Sequence, residues 1–163
     1  MFAARPLTRE SKPQLYAELR ESVRALLQGE RDFIANAANV SALLFDALPD
    51  LNWAGFYFMK DGGLVLGPFQ GKPACVRIAL GRGVCGTAAR DRRTLVVPDV
   101  QAFPGHIACD SASASEVVVP MVHAGRVLGV LDLDSPLKGR FDEDDARGLE
   151  AVVAAFLAAT ELP

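Results

Sequence analysis

Cys75, Cys85 and Cys109 are the three cysteines of this 163-residue chain. At most one intramolecular pair can form among three, so one thiol stays free. Cys75 and Cys109 stand among small or polar neighbours (Ala74, Ala108, Asp110, Ser111), and Cys85 stands in a glycine run. The pattern points to thiols that do chemistry. Two structural readings compete with it: buried inert cysteines, and a zinc site completed by His106 or His123. The zinc reading lacks both a CxxC pair and an HxxxH, and no metal is expected.

Two further constellations accompany the thiols. Asp132 and Asp134 lie two apart in an apolar strand-like run, so both point to one face while Leu131 and Leu133 point to the other. Glu116 opens the preceding strand of the same hairpin and is positioned to approach them. Like charges held together raise a carboxyl pKa and leave an acid able to donate a proton; solvation at a strand end is the plainer reading. Trp53 and Tyr57 are four apart with Gly55 between them on the same face. Two rings flanking a glycine would make a cleft for a small apolar or cationic group, with core packing as the alternative.

The elements that must position these residues follow from periodicity and punctuation. Residues 1–11 carry no pattern and are expected as a flexible arm, with residues 12–160 forming one domain. Ser11-Lys12-Pro13 opens a helix that Gly29 stops, and a second helix runs from about Asp32 to Leu48. Trp53 to Met59 is a strand, Asp61-Gly62-Gly63 turns, and Leu64 to Leu66 returns until Gly67-Pro68 breaks it. Cys75 to Leu80 is a third strand, and Thr94 to Val97 a short fourth. Glu116 to Val122 and Arg126 to Asp134 form a hairpin about Ala124-Gly125, and a last helix starts in the acidic Asp142–Asp145. The long stretch 99–115, with Cys109 inside it, has the character of a functional loop. Hairpins at both ends of the strand set predict an α+β fold: a central antiparallel sheet of about six strands with helices packed on it.

Gly81-Arg82-Gly83-Val84-Cys85-Gly86 matches G-x-G-x-x-G, yet a dinucleotide site needs a parallel βαβ unit that the hairpins argue against. The glycines are instead expected to make a tight turn beside a pocket. Cys85 would then sit near a helix N-terminus, where thiolate is favoured.

Net charge is −3, and the only tight basic cluster, Arg90, Arg92 and Arg93, is interrupted by Asp91, so a nucleic-acid partner is not expected. No segment approaches the ~18 apolar residues of a membrane helix, and the first residues lack the apolar stretch of a signal peptide. A cytoplasmic protein is the expectation, with thiols kept reduced.

Several runs together resemble a known family. They are Asn52-Trp53-Ala54-Gly55-Phe56-Tyr57, Gly67 to Cys75, Gly81 to Gly86, Val118-Val119-Pro120 and Leu131-Asp132-Leu133-Asp134-Ser135. With the order of elements, which resembles a GAF domain, and the spacing of the cysteines, they are similar to free methionine-(R)-sulfoxide reductase over about residues 12–160. The resemblance implies a thiolate attack on the sulfur of free methionine sulfoxide, a sulfenic acid, and a disulfide recycled by thioredoxin, with NADPH supplied through thioredoxin reductase. No bound cofactor is implied, and a homodimer is. By the same resemblance Cys109 is the cysteine that becomes sulfenic acid and Cys75 the resolving one. Cys85 is a third thiol that either resolves or attacks. Glu116, Asp132 and Asp134 bind the substrate ammonium and handle the proton, and Trp53 and Tyr57 wall the methyl group. A ligand-sensing module and a thiol switch acting through a partner are the competing functions.

Overall fold

The computed structural model describes residues 11–105 and 111–163. The arm expected at the N-terminus therefore lies outside the described residues except for Ser11, whose hydroxyl caps the first helix by accepting from the Gln14 N–H. That helix, α1, spans Lys12–Leu26, and α2 spans Phe33–Ala47 behind an Asp32 cap. Strands β1 (Trp53–Lys60), β2 (Gly63–Gly71) and β3 (Arg77–Ala79) follow, then α3 (Gly83–Asp91) and β4 (Leu95–Val97). Strands β5 (Ser115–His123) and β6 (Arg126–Ser135) form the second hairpin, and α4 (Glu143–Ala159) closes the chain. Asp142 and Asp145 build a capping box at the start of α4, as the acidic run predicts.

The six strands form one sheet in the order β3-β2-β1-β6-β5-β4. Every strand pairing is antiparallel. The α+β prediction holds, and no parallel βαβ unit surrounds the glycine motif, so a dinucleotide site is ruled out there.

Two-residue alternation divides the central strands between two buried faces. Ala54, Phe56, Val117, Val119, Leu131 and Leu133 face α1, α2 and α4 with Leu19, Leu44, Leu149 and Phe156 in one cluster. Trp53, Tyr57, Val118 and Val130 face the other way, against Val84, Cys85 and Ala88 of α3. The helical face supplies the main core. The α3 face is left thin enough to hold a pocket.

Two sequence expectations are corrected. Strand β2 does not end at Gly67-Pro68 but continues to Gly71. A register shift between Gly55 and Tyr57 of β1 leaves Gly67 and Pro68 out of the ladder, so the missing proline N–H breaks no pair. The third strand is shorter than its apolar run: Cys75 lies ahead of β3 rather than in it. Among the described residues no helix is long and apolar enough to cross a membrane.

Candidate active site

The hairpin β5–β6 brings the acids together. Its register pairs Glu116 with Asp134 and Val118 with Asp132, so Glu116, Asp132 and Asp134 occupy neighbouring positions on the α3 face. Glu116 and Asp132 are each 6% exposed. Strand β1 lies on the other side of β6, where Trp53 pairs with Asp134 and Gly55 with Asp132. The aromatic positions and the acids are thereby cross-strand neighbours, as their two-residue spacing allows.

Helix α3 roofs this patch. Gly81 N–H donates to the Gly86 carbonyl at 2.7 Å, closing the turn that starts the helix. A side chain at Gly86 would place Cβ 2.3 Å from the Ala79 carbonyl, so glycine is required for α3 to pack on β3. Cys85 is in the first turn of the helix rather than in the loop before it. Its thiol donates toward Glu116 Oε1 at 3.8 Å. Cys85 Sγ and single oxygens of Glu116 and Asp132 all lie within 4.8 Å of one another.

The three groups change one another's acidity, and burial leads in each. Burial, then the charges of Asp132 and Glu116, push the Cys85 thiol well above its ordinary value. This reverses the expected thiolate: the helix N-terminus is outweighed by desolvation and two carboxyls. Burial pushes Glu116 well above the usual carboxylate range, with Asp132 and Asp134 adding to it. Asp132 is pushed up to about 7 by burial, against hydrogen bonds from Cys85 and Glu116 that lower it. Burial and mutual repulsion thus push both Glu116 and Asp132 toward their protonated forms, the pattern of an acid ready to donate.

Trp53 and Tyr57 form one wall of the pocket, but not as a slot. Their rings stack with centroids 5.8 Å apart, and Phe69 of β2 stacks on Trp53 at 5.2 Å. Phe69 packs at Gly55 and against Trp53, supporting a pocket wall that Trp53 and Tyr57 line. Sequence reading missed Phe69 because its pairing with Gly55 depends on β2 passing Pro68. A Cβ at Gly55 would lie 2.3 Å from Phe69 Cβ and 2.8 Å from both Phe69 Cα and Trp53 Cη2. Gly55→Ala is therefore expected to destabilise the fold by about 1–3 kcal/mol. At about 2–4 °C per kcal/mol the loss is readable in a thermal melt, and an unchanged Tm would mean the wall yields.

The pocket so enclosed is a small cavity of about 40 Å³, open at its mouth. Trp53, Tyr57, Cys85, Glu116, Asp132 and Asp134 all line it, together with Ala74, Arg82 and Ser113. Ser113 was not singled out by the sequence. Its hydroxyl accepts from Asn52 Nδ2 at 3.0 Å, and the Ala114 N–H donates to the Ser135 carbonyl at 2.8 Å, so the C-terminal end of the 99–115 stretch is tied to the framework.

The cysteines separate into distinct states. Cys75 is disulfide-bonded and half-buried beside the pocket. Its carbonyl accepts from the Tyr57 hydroxyl at 3.0 Å, which ties it to the aromatic wall. Cys85 is a free thiol. Cys109 lies outside the described residues.

A six-stranded antiparallel sheet with helices on one face and a small-molecule pocket on the other defines a GAF domain, and the GAF domain family matches residues 19–160. The Escherichia coli (strain K12) protein named free methionine-R-sulfoxide reductase is 54% identical, covering 88% of this chain and 87% of its own. The X-ray structure of free methionine-R-sulfoxide reductase from Neisseria meningitidis in complex with its substrate is 43% identical. It has a TM-score of 0.93 and covers 98% of this chain and 95% of that one. The reduced form of fRMsr from Staphylococcus aureus is 49% identical with a TM-score of 0.86, over 88% of this chain and 94% of that one. The chain belongs to the free methionine-R-sulfoxide reductase family of GAF-domain oxidoreductases.

Proposed function

We propose that this chain reduces free L-methionine-(R)-sulfoxide to L-methionine and is recycled by thioredoxin. The observation that carries the proposal is the pocket itself: an apolar ring wall facing two buried, acid-shifted carboxyls, with a disulfide-bonded cysteine at its edge. Each part matches a part of the substrate. The Trp53–Tyr57 wall takes the S-methyl end. Asp132 and Asp134 take the ammonium group, which has no counterpart in the middle of a peptide chain. Glu116, pushed toward its protonated form by burial and its acidic neighbours, donates to the sulfoxide oxygen as the S–O bond breaks.

The chemistry balances in three steps. The Cys109 thiolate attacks the substrate sulfur, the oxygen passes to the cysteine with one proton, and Cys–SOH and methionine result. The Cys75 thiol condenses with the sulfenic acid, releasing water and leaving a disulfide. Thioredoxin's dithiol then reduces that disulfide by exchange and becomes a disulfide itself. Cys85 is a positioning thiol in this scheme, its hydrogen bond orienting Glu116. The recycling step places the protein in a reducing compartment, the cytoplasm.

The test is NADPH consumption with thioredoxin and thioredoxin reductase, offering the R and S epimers of free methionine sulfoxide separately. Turnover of the R epimer alone is expected. No turnover with either epimer would overturn the enzyme reading in favour of a ligand sensor.

A further inference from the structure

We propose that Cys85, Glu116 and Asp132 form a Zn²⁺-binding site on the floor of the pocket. The three donors come from α3, β5 and β6, so no local spacing such as CxxC announces them. Their ligand atoms lie within 4.8 Å of one another. Zinc bonds to sulfur at ≈ 2.3 Å and to carboxylate oxygen at ≈ 2.0–2.2 Å, so a tetrahedral angle separates the two donors by about 3.5 Å. The Cys85 Sγ to Glu116 Oε1 distance, 3.8 Å, is already close to that edge.

A second observation points to a ligand independently. Asp132 Oδ1 is buried without a hydrogen-bond partner. The residue is 6% exposed and lines the pocket, so its carboxyl is shielded from bulk water yet open to the cavity. A buried acceptor without a partner is a costly arrangement that a bound ion relieves.

The donor set selects the metal. A thiolate with two carboxylates suits zinc, whereas Mg²⁺ and Ca²⁺ take oxygen ligands throughout. Three protein ligands with the fourth position facing the cavity is the open arrangement of zinc sites that accept an exchangeable ligand. Zinc held there occupies the carboxyls that the sulfoxide substrate needs, so it competes with substrate. That consequence rests on the reductase reading; metal binding does not.

The test uses the full chain, freed of metal and titrated with Co²⁺ in the absence of any sulfoxide. One Co²⁺ per chain is expected, with the thiolate-to-metal charge-transfer absorption and the visible bands of a tetrahedral site. The charge-transfer band should vanish in Cys85→Ser and persist in Cys75→Ser, with circular dichroism checking the fold of each. Zn²⁺ affinity, read by competition with a chromophoric chelator, should fall at least about tenfold in Asp132→Asn, the lower end for disturbing even an outer-shell partner. Absence of the band, its survival in Cys85→Ser, or unchanged affinity in Asp132→Asn would each overturn the site. In the coupled assay Zn²⁺ should raise the apparent KM for the R epimer and leave kcat unchanged; an unmoved KM at saturating zinc would overturn the competition. Because the metal titrations contain no sulfoxide, they remain readable even where the reductase assay fails.

Discussion

Cys109→Ser is expected to show no turnover of free methionine-(R)-sulfoxide, while Cys75→Ser releases one methionine per chain and then stops. The two outcomes follow from what the other thiols can do. Cys85 is buried, and desolvation with Asp132 and Glu116 pushes its thiol far above its ordinary value. The attacking species in sulfoxide reduction is the thiolate, so Cys85 is poorly suited to begin the reaction. Cys75 is disulfide-bonded, a state that attacking and resolving thiols share after turnover, so the assignment of the attack to Cys109 and of resolution to Cys75 rests on the family resemblance and is what the two variants test. In Cys75→Ser the attack and oxygen transfer still run, and the cycle stalls at sulfenic acid because the partner for condensation is gone. The check is a quantified methionine burst in single-turnover conditions, with trapping of the sulfenic acid by dimedone in Cys75→Ser. Continued turnover in Cys109→Ser would move the attack to Cys85 or Cys75 and overturn the assignment.

What the sequence revealed of this site, and what it hid, divides along the range of the interactions. Asp132, Asp134, Trp53 and Tyr57 were legible because strand alternation is local and puts each set on one face. Glu116 was legible because the short Ala124-Gly125 turn sets the register of the hairpin; β5 and β6 pair as that turn requires. Phe69 was hidden by Pro68, which reads as a strand end. Only the bulge opposite it lets the strand pass, and that bulge belongs to the pairing of β1 with β2. The thiol of Cys85 was misread for a related reason. Its place at a helix start is a local signal favouring thiolate. The two carboxyls that reverse the effect arrive from β5 and β6, and burial under α3 arises only when the domain closes. Local patterns thus identified which residues face the pocket. The acidity of the site is a property of their convergence.

That acidity leads to the second large effect. Glu116→Gln is expected to lower kcat/KM for the R epimer by about 10²–10⁴-fold, the range for losing a positioned general acid. The amide keeps the shape and burial of the carboxyl but has no proton to transfer to the leaving oxygen. The same substitution is expected to stabilise the fold above neutral pH. Burial and the charges of Asp132 and Asp134 raise the Glu116 pKa in the folded chain above its unfolded value. Such a group supports folding fully below its unfolded pKa, and that support is lost as pH rises through the folded pKa. Asp132, pushed up to about 7, loses its support in the same direction. The Tm of the wild type should therefore fall between pH 5 and pH 8 more steeply than that of Glu116→Gln, with the two nearly equal at the acid end. Scanning calorimetry at both pH values, beside the coupled assay, separates this from a merely structural role. A structural role would lower Tm at every pH. A Tm gain confined to high pH, together with lost turnover, would identify Glu116 as an acid whose burial costs stability and supplies the proton.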